Sequence, residues 1–241
     1  MTMRRMACMA AAFSLQLAAA AHAATAAKLP DWSGVWARKE GLEHPDPTKV
    51  LPFLKAEDAA DFQKQIDARS FRVPWSSCDP PAFPAMMTET PLGFEFLFTA
   101  GRVTLLTADN QVRRIYTDGR GHTKDAEPSY FGDSIGHWEG QTLVVDTVAL
   151  RDDNQIVIGL DAGADTLHVV ERIHLVDADT LQDDLTISGL PMLKSDFVRS
   201  QQYKRQAARN VAENLCVASK NRNTGTSLQL TPPPPQKRTG K

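Results

Sequence analysis

From Gly93 onward, apolar and polar positions alternate with a period of two, the pattern of half-buried strands. Phe94-Glu95-Phe96-Leu97-Phe98 opens the series, and residues 102–107 follow after Gly101. Asp109-Asn110 predicts a turn into a strand over 111–117. Gly119, Gly121 and Pro128 then mark a longer loop. Residues 129–139 read as a strand, with Gly132 and Gly136 as candidate bulges. Glu139-Gly140 turns the chain into 142–148. Further strands are predicted over 167–175, 180–187 and 197–204, the first two joined through Asp177-Ala178-Asp179.

Upstream, the period changes. Residues 32–37 predict a first strand. Residues 55–69 predict a helix, with Ala59, Phe62 and Ile66 on one face. Segments 40–54 and 73–91 are broken by prolines and read as irregular, and 207–215 predicts a short terminal helix. About nine strands joined mostly by short polar turns imply an all-β antiparallel meander, either a barrel or a sandwich. Strands do not alternate with regular helices, which disfavours a parallel α/β fold. The domain is expected over residues 30–222.

The two ends read differently. Arg4 and Arg5 precede an uncharged run from Met6 to Ala21, and Ala21-His22-Ala23 fits a small-x-small cleavage pattern. Residues 1–23 are therefore expected to be a secretory signal, leading to the periplasm or outside the cell. Cys8 begins the apolar run rather than following it, so lipid attachment is not expected. Residues 224–241 contain Pro232 to Pro235 in a row and are expected to be a disordered tail.

Composition narrows the function classes. The net charge of −2 becomes −4 without Arg4 and Arg5, which argues against a nucleic-acid partner. No segment after the leader approaches the ~18 apolar residues of a membrane span. Cys78 and Cys216 remain after cleavage, and an exported chain with two cysteines suggests one disulfide. It would close a loop worth about 4–5 kcal/mol on chain-entropy grounds. Oligomeric state is not indicated.

Polar chemistry concentrates in three stretches: Arg113 to His122, Tyr130 to Asp146, and Leu167 to His174. Residues two apart share a strand face. Arg114, Tyr116 and Asp118 share one, Asp133, His137 and Glu139 another, and His168, Arg172 and His174 a third. Were this polar face to line a barrel interior, Tyr116, Asp118, Asp133 and His137 would be acid/base candidates. Arg114 or Arg120 would stabilise developing negative charge. Trp138, Asp146 and His168 would contact substrate. Asp146 ends an apolar run, and an inward carboxylate there would need Arg113 or Arg114 as partner. The competing expectation is a set of structural or surface ion pairs, each worth about 0–1 kcal/mol. His44 and His122 are loop residues that nothing singles out.

Several chemistries have no motif here: no Gly-x-Ser-x-Gly, no His-Glu-x-x-His, no phosphate loop and no dinucleotide fingerprint. His168 and His174 would lie about 20 Å apart along a strand. No metal and no cofactor are expected.

Two runs carry a resemblance. They are Arg114-Ile115-Tyr116-Thr117-Asp118-Gly119-Arg120, and Gly132-Asp133-Ser134-Ile135-Gly136-His137-Trp138-Glu139-Gly140 continuing through Thr142-Leu143-Val144-Val145-Asp146-Thr147. Together with Leu167-His168-Val169-Val170-Glu171-Arg172, they resemble a large group of exported, largely uncharacterised bacterial proteins. The likeness covers roughly residues 31–223 and implies an exported single-domain β-barrel. Gly34-Val35-Trp36 is also similar to the start of lipocalin-type (calycin) barrels, which include carriers and some hydratases and cyclases. The chain departs from the group at Gln141, at His122-Thr123, where His-Pro is usual, and at Ala162-Gly163-Ala164, where Pro-His-Ser is usual.

The expectation is a single antiparallel β-barrel of about nine strands with one N-terminal and one short C-terminal helix. It would act on a small, fairly apolar organic molecule by cofactor-independent acid/base chemistry, as a lyase, hydratase or isomerase. The alternative is a non-catalytic periplasmic carrier.

Overall fold

The period-two segments become strands of one closed sheet. The computed structural model describes residues 29–39, 46–71, 82–89, 93–108, 110–206 and 211. The leader 1–23, the tail 224–241, Cys78, Cys216 and all of the expected terminal helix except Val211 lie outside the described residues.

Strand β1 (Val35–Arg38) is followed by a 3-10 helix (Pro47–Phe53), α1 (Ala56–Ala68) and α2 (Met86–Glu89). Then come β2 (Phe94–Thr99), β3 (Arg102–Thr107), β4 (Val112–Tyr116), β5 (Asp133–Glu139) and β6 (Thr142–Val148). Next are β7 (Gln155–Val157), β8 (Leu160–Asp161), β9 (His168–Asp177), β10 (Thr180–Ser188) and β11 (Phe197–Gln206). Nine strands close in the order β1-β11-β10-β9-β6-β5-β4-β3-β2, and β7 and β8 form a separate pair. No helix among the described residues is long and apolar enough to cross a membrane.

The barrel is mixed rather than wholly antiparallel. Strands β4 and β5 pair in parallel, with Ile115 opposite Ser134 and Tyr116 opposite Ile135. The connection 117–132 makes this possible, because a parallel pair needs a crossover of about a dozen residues or more rather than a tight turn. The starts of β1 and β5 fall several residues later than predicted. The Trp36 indole donates to the Trp32 carbonyl at 3.0 Å, so the chain is still turning before Val35. Gly132, at φ +64°, donates its N–H to Ser129 Oγ at 2.9 Å and delays β5 to Asp133.

Neither glycine makes a bulge within β5. Its register with β6 runs unbroken from Asp133 opposite Val148 to Glu139 opposite Thr142. Gly136 is needed for another reason: a Cβ there would lie 2.9 Å from Ile115 Cγ2 and 3.2 Å from the Val144 carbonyl oxygen.

The apolar face points inward. Phe94, Phe96, Val103, Leu105, Ile115, Leu143, Val145, Val169, Ile173, Leu181, Leu185, Ile187, Phe197 and Tyr203 are all buried in one core. Burying each large apolar side chain is worth about 1.5–3 kcal/mol, which sets the orientation of every strand. The polar alternates, including His168, Arg172 and Asp146, therefore face outward. A polar-lined lumen is thus corrected: the expected site face is the outer surface of the barrel.

The inward face does contain charge. Arg113 and Glu171 are fully buried as a pair, and Arg113 also donates to Thr147 Oγ1 at 3.1 Å and lies over the Phe83 ring at 3.7 Å. Arg113 is therefore not the partner of Asp146, and Glu171 acts as its structural counter-ion.

Candidate active site

The cluster begins from strand register. Ser188, the last residue of β10, stands directly opposite His168, the first residue of β9. On the next strand pair Asp146 is opposite Val170, which places it diagonally from His168 on the same outer face. Across β6 and β5, Asp146 is opposite Ile135, so Asp133 occupies the other diagonal. Four strands thus present Ser188, His168, Asp146 and Asp133 in a row. This packing of functional groups follows from the two-residue period alone.

The connection 117–132 adds a fifth member. The Thr123 N–H donates to Asp133 Oδ2 at 2.6 Å and pins the loop to the sheet. His122 then lies between the two carboxylates, with Nδ1 3.5 Å from Asp133 and Nε2 3.4 Å from Asp146. Both ring nitrogens are shielded from solvent and make no hydrogen bond of normal geometry. The contacts to the two acids are electrostatic, at distances beyond good hydrogen bonds.

Asp146 also receives His168. Its Oδ1 lies 2.8 Å from His168 Nε2, and His168 Nδ1 lies 3.4 Å from Ser188 Oγ. An ionised carboxylate only accepts, so the hydrogen sits on Nε2 and the Nδ1 lone pair faces Ser188. The side chains of His168 and Asp146 are 38% and 44% exposed, so the pair is open to a reactant from solution.

This arrangement provides a base backed by a carboxylate that a second imidazole flanks. Neutral His168 offers Nδ1 as proton acceptor, and Asp146 stabilises the imidazolium that results. His122 flanks Asp146 on one side and Asp133 on the other, at 3.4 and 3.5 Å. Among the described residues, no three of His, Cys, Asp and Glu converge as metal ligands do.

The other expected residues are placed elsewhere. Arg120 grips Asp118 through Nε at 2.9 Å and Nη2 at 2.7 Å, and its guanidinium covers the Tyr116 ring at 4.0 Å. The Arg120 hydrogen bonds hold the Asp118 carboxyl below its ordinary range, which weakens it as a proton acceptor. Arg120 is close enough to Asp133 to feel its charge. Arg114 lies on β4 opposite Thr104.

His137 shares the outer face with Asp133 but is four residues along β5, about 13 Å away by strand rise. Its Nε2 lies 3.2 Å from Glu139, which accepts from Arg172 at 2.8 Å. Arg172 first, then His137, lowers the Glu139 carboxyl. Trp138 packs against Trp32, with ring centroids 5.4 Å apart, and stacks on Phe98 at 6.3 Å. It braces an aromatic cluster beside the core.

Sequence reasoning missed His122 and Ser188. Ser188 lies one residue beyond the strand predicted over 180–187, where nothing marks it. His122 had one signal, its place just after the Tyr-Thr-Asp-Gly-Arg run, but no periodicity could bring a loop residue onto β5 and β6. His44 lies outside the described residues. No family model matches the chain, and no curated protein matches it.

Proposed function

We propose that this protein is an exported barrel enzyme that moves protons on a small, largely apolar organic molecule, as a lyase, hydratase or isomerase. The chemistry is assigned to His168, Asp146, His122 and Asp133 on the outer face. The observation that carries this reading is the shared carboxylate: Asp146 lies 2.8 Å from one imidazole and 3.4 Å from a second. His168 is set up to take a proton through Nδ1 and to return it, while Asp146, flanked by His122, balances the charge that results, as acid/base catalysis requires. The half-exposed His168–Asp146 pair admits water, which hydratases and lyases consume or release.

Export is supported by the leader-like run 1–23, and a Cys78–Cys216 disulfide by the presence of just these two cysteines after that run. Thiol titration of the denatured, unreduced mature chain tests the bridge, and two titratable thiols would exclude it.

The enzymatic reading is tested by incubating the protein with a library of small organic molecules and analysing products by mass spectrometry. Conversion of at least one compound is expected, with His168→Ala lowering turnover about 100-fold or more. Binding without any product would replace the enzyme with a carrier.

A further inference from the structure

We propose that Ser188 is a nucleophile, activated by His168 and Asp146, and that the site hydrolyses small uncharged carboxylic esters through an acyl-serine intermediate. The inference rests on the acid/base reading of this cluster and adds a covalent step to it.

The relay is continuous. Ser188 Oγ lies 3.4 Å from His168 Nδ1, and His168 Nε2 lies 2.8 Å from Asp146 Oδ1. Asp146 fixes the tautomer that leaves Nδ1 unprotonated, which is what a serine hydroxyl needs in order to lose its proton. The serine contact exceeds the roughly 2.6–3.2 Å of productive transfer by only a few tenths of an ångström, as is common without substrate. The imidazole is presented through the opposite nitrogen from the usual serine hydrolase arrangement, but the two ring nitrogens are chemically equivalent for this task.

Position also favours Ser188. It ends β10, and the next residue, Gly189, is exposed and turns at φ +81°. A side chain at 189 is impossible, because its Cβ would lie 2.1 Å from the Thr166 carbonyl oxygen. The hydroxyl therefore sits at a strand end, beside backbone that carries no side chain. Asp133 and Asp146 give the surroundings two carboxylates, so an uncharged ester is favoured over an anionic one.

In the reaction, Ser188 Oγ bonds to the acyl carbon as its proton passes to His168 Nδ1, and the carbonyl electron pair moves to oxygen. Collapse of the tetrahedral species expels the alcohol, which takes the proton from Nδ1. Water then attacks the acyl-serine, giving its proton to Nδ1, and the departing Oγ recovers it. The balance is ester plus water to acid plus alcohol.

The test uses the mature chain with p-nitrophenyl acetate and a fluorophosphonate probe, on wild type, Ser188→Ala and His168→Ala. One phosphonyl adduct is expected, mapped to Ser188 by peptide mass, and none on Ser188→Ala. Ester turnover should fall about 100-fold or more in both variants. Ser188 and His168 lie on the half-exposed outer face, so unchanged thermal midpoints are expected and exclude misfolding.

No adduct on the wild type, an adduct elsewhere, or ester hydrolysis retained by Ser188→Ala would overturn the proposal. If library turnover is lost in His168→Ala and kept in Ser188→Ala, proton transfer stands and the nucleophile falls. If both variants keep full library turnover, both readings fall.

Discussion

Arg113 donates to Glu171 through both terminal nitrogens, Nη1 to Oε1 at 2.8 Å and Nη2 to Oε2 at 2.5 Å, and neither side chain is exposed. Each is opposite the other's charge inside an otherwise apolar barrel. Removing one partner strands a buried charge, so Glu171→Ala should cost about 3–5 kcal/mol in denaturant unfolding. Replacing both, as Arg113→Met with Glu171→Leu, should cost much less than the single change. Equal losses in the single and double variants would mean that the pair is not what holds this part of the core.

Asp183 lies on the same inward face and is fully buried, with no hydrogen bond to either carboxyl oxygen. Burial, and then the neighbouring Glu171 charge, push its pKa well above the ordinary value. The folded state therefore binds this proton more tightly than the unfolded chain does. The resulting stability is fully present below the unfolded pKa of about 3.9 and is lost as pH rises toward the folded value. Asp183→Asn removes the titration. Relative to wild type it should gain up to about 1.4 kcal/mol for each pH unit above that point, measured by denaturant titrations across pH. A pH-independent difference would contradict a protonated Asp183.

Gly136 shows how closely the sheet is packed at β5. A methyl group there meets Ile115 Cγ2 at 2.9 Å and Leu143 Cδ1 at 3.3 Å. Gly136→Ala should destabilise by about 1–3 kcal/mol through overpacking, although alanine ordinarily suits a strand better than glycine. Ile115→Val in the same chain should recover part of the loss, read as a rise in thermal midpoint.

His122 and His137 separate the observed cluster from the predicted one. His122 sits between Asp133 and Asp146, whereas His137 contacts Glu139 further along β5. His122→Ala should lower library turnover about 10-fold, because the imidazole that flanks both Asp146 and Asp133 is lost. His137→Ala should change it by less than about twofold. The opposite ranking would return the site to the Asp133–His137 spacing. Limited proteolysis should also cut the 117–132 connection faster in His122→Ala, since two electrostatic tethers are lost.

Much of the fold was legible because strands announce themselves locally. The β3 and β6 boundaries match the alternation, and α1 falls within the helix predicted from Ala59, Phe62 and Ile66. The parallel β4–β5 pair was not legible. Local pattern defines each strand but not which neighbour it meets, or in which direction, after a long connection. The short β7–β8 pair was missed because Gln155–Val157 and Leu160–Asp161 are too brief to show a period.

The candidate site was half legible. Asp133, Asp146 and His168 were singled out as polar residues in strands, yet their grouping depends on the register of three strand pairs. Asp146 was expected to need an arginine, and an outward carboxylate beside His168 needs none.

The amino-acid sequence by itself determined the nine barrel strands, the long helix α1 and the alternation that splits each strand into two faces. It left open which face went inside, because the faces are mixed: β9, for one, carries Glu171 among its apolar positions and Val170 among its polar ones. Tertiary structure decided that by burying the larger apolar total of all nine strands together. Arg113, Glu171 and Asp183 were carried inward with it, while His168 and Asp146 stayed at the surface. Only the closed sheet and its long connection then brought His122 between two carboxylates and Ser188 opposite His168, since residues so far apart in the chain meet through register and not through spacing.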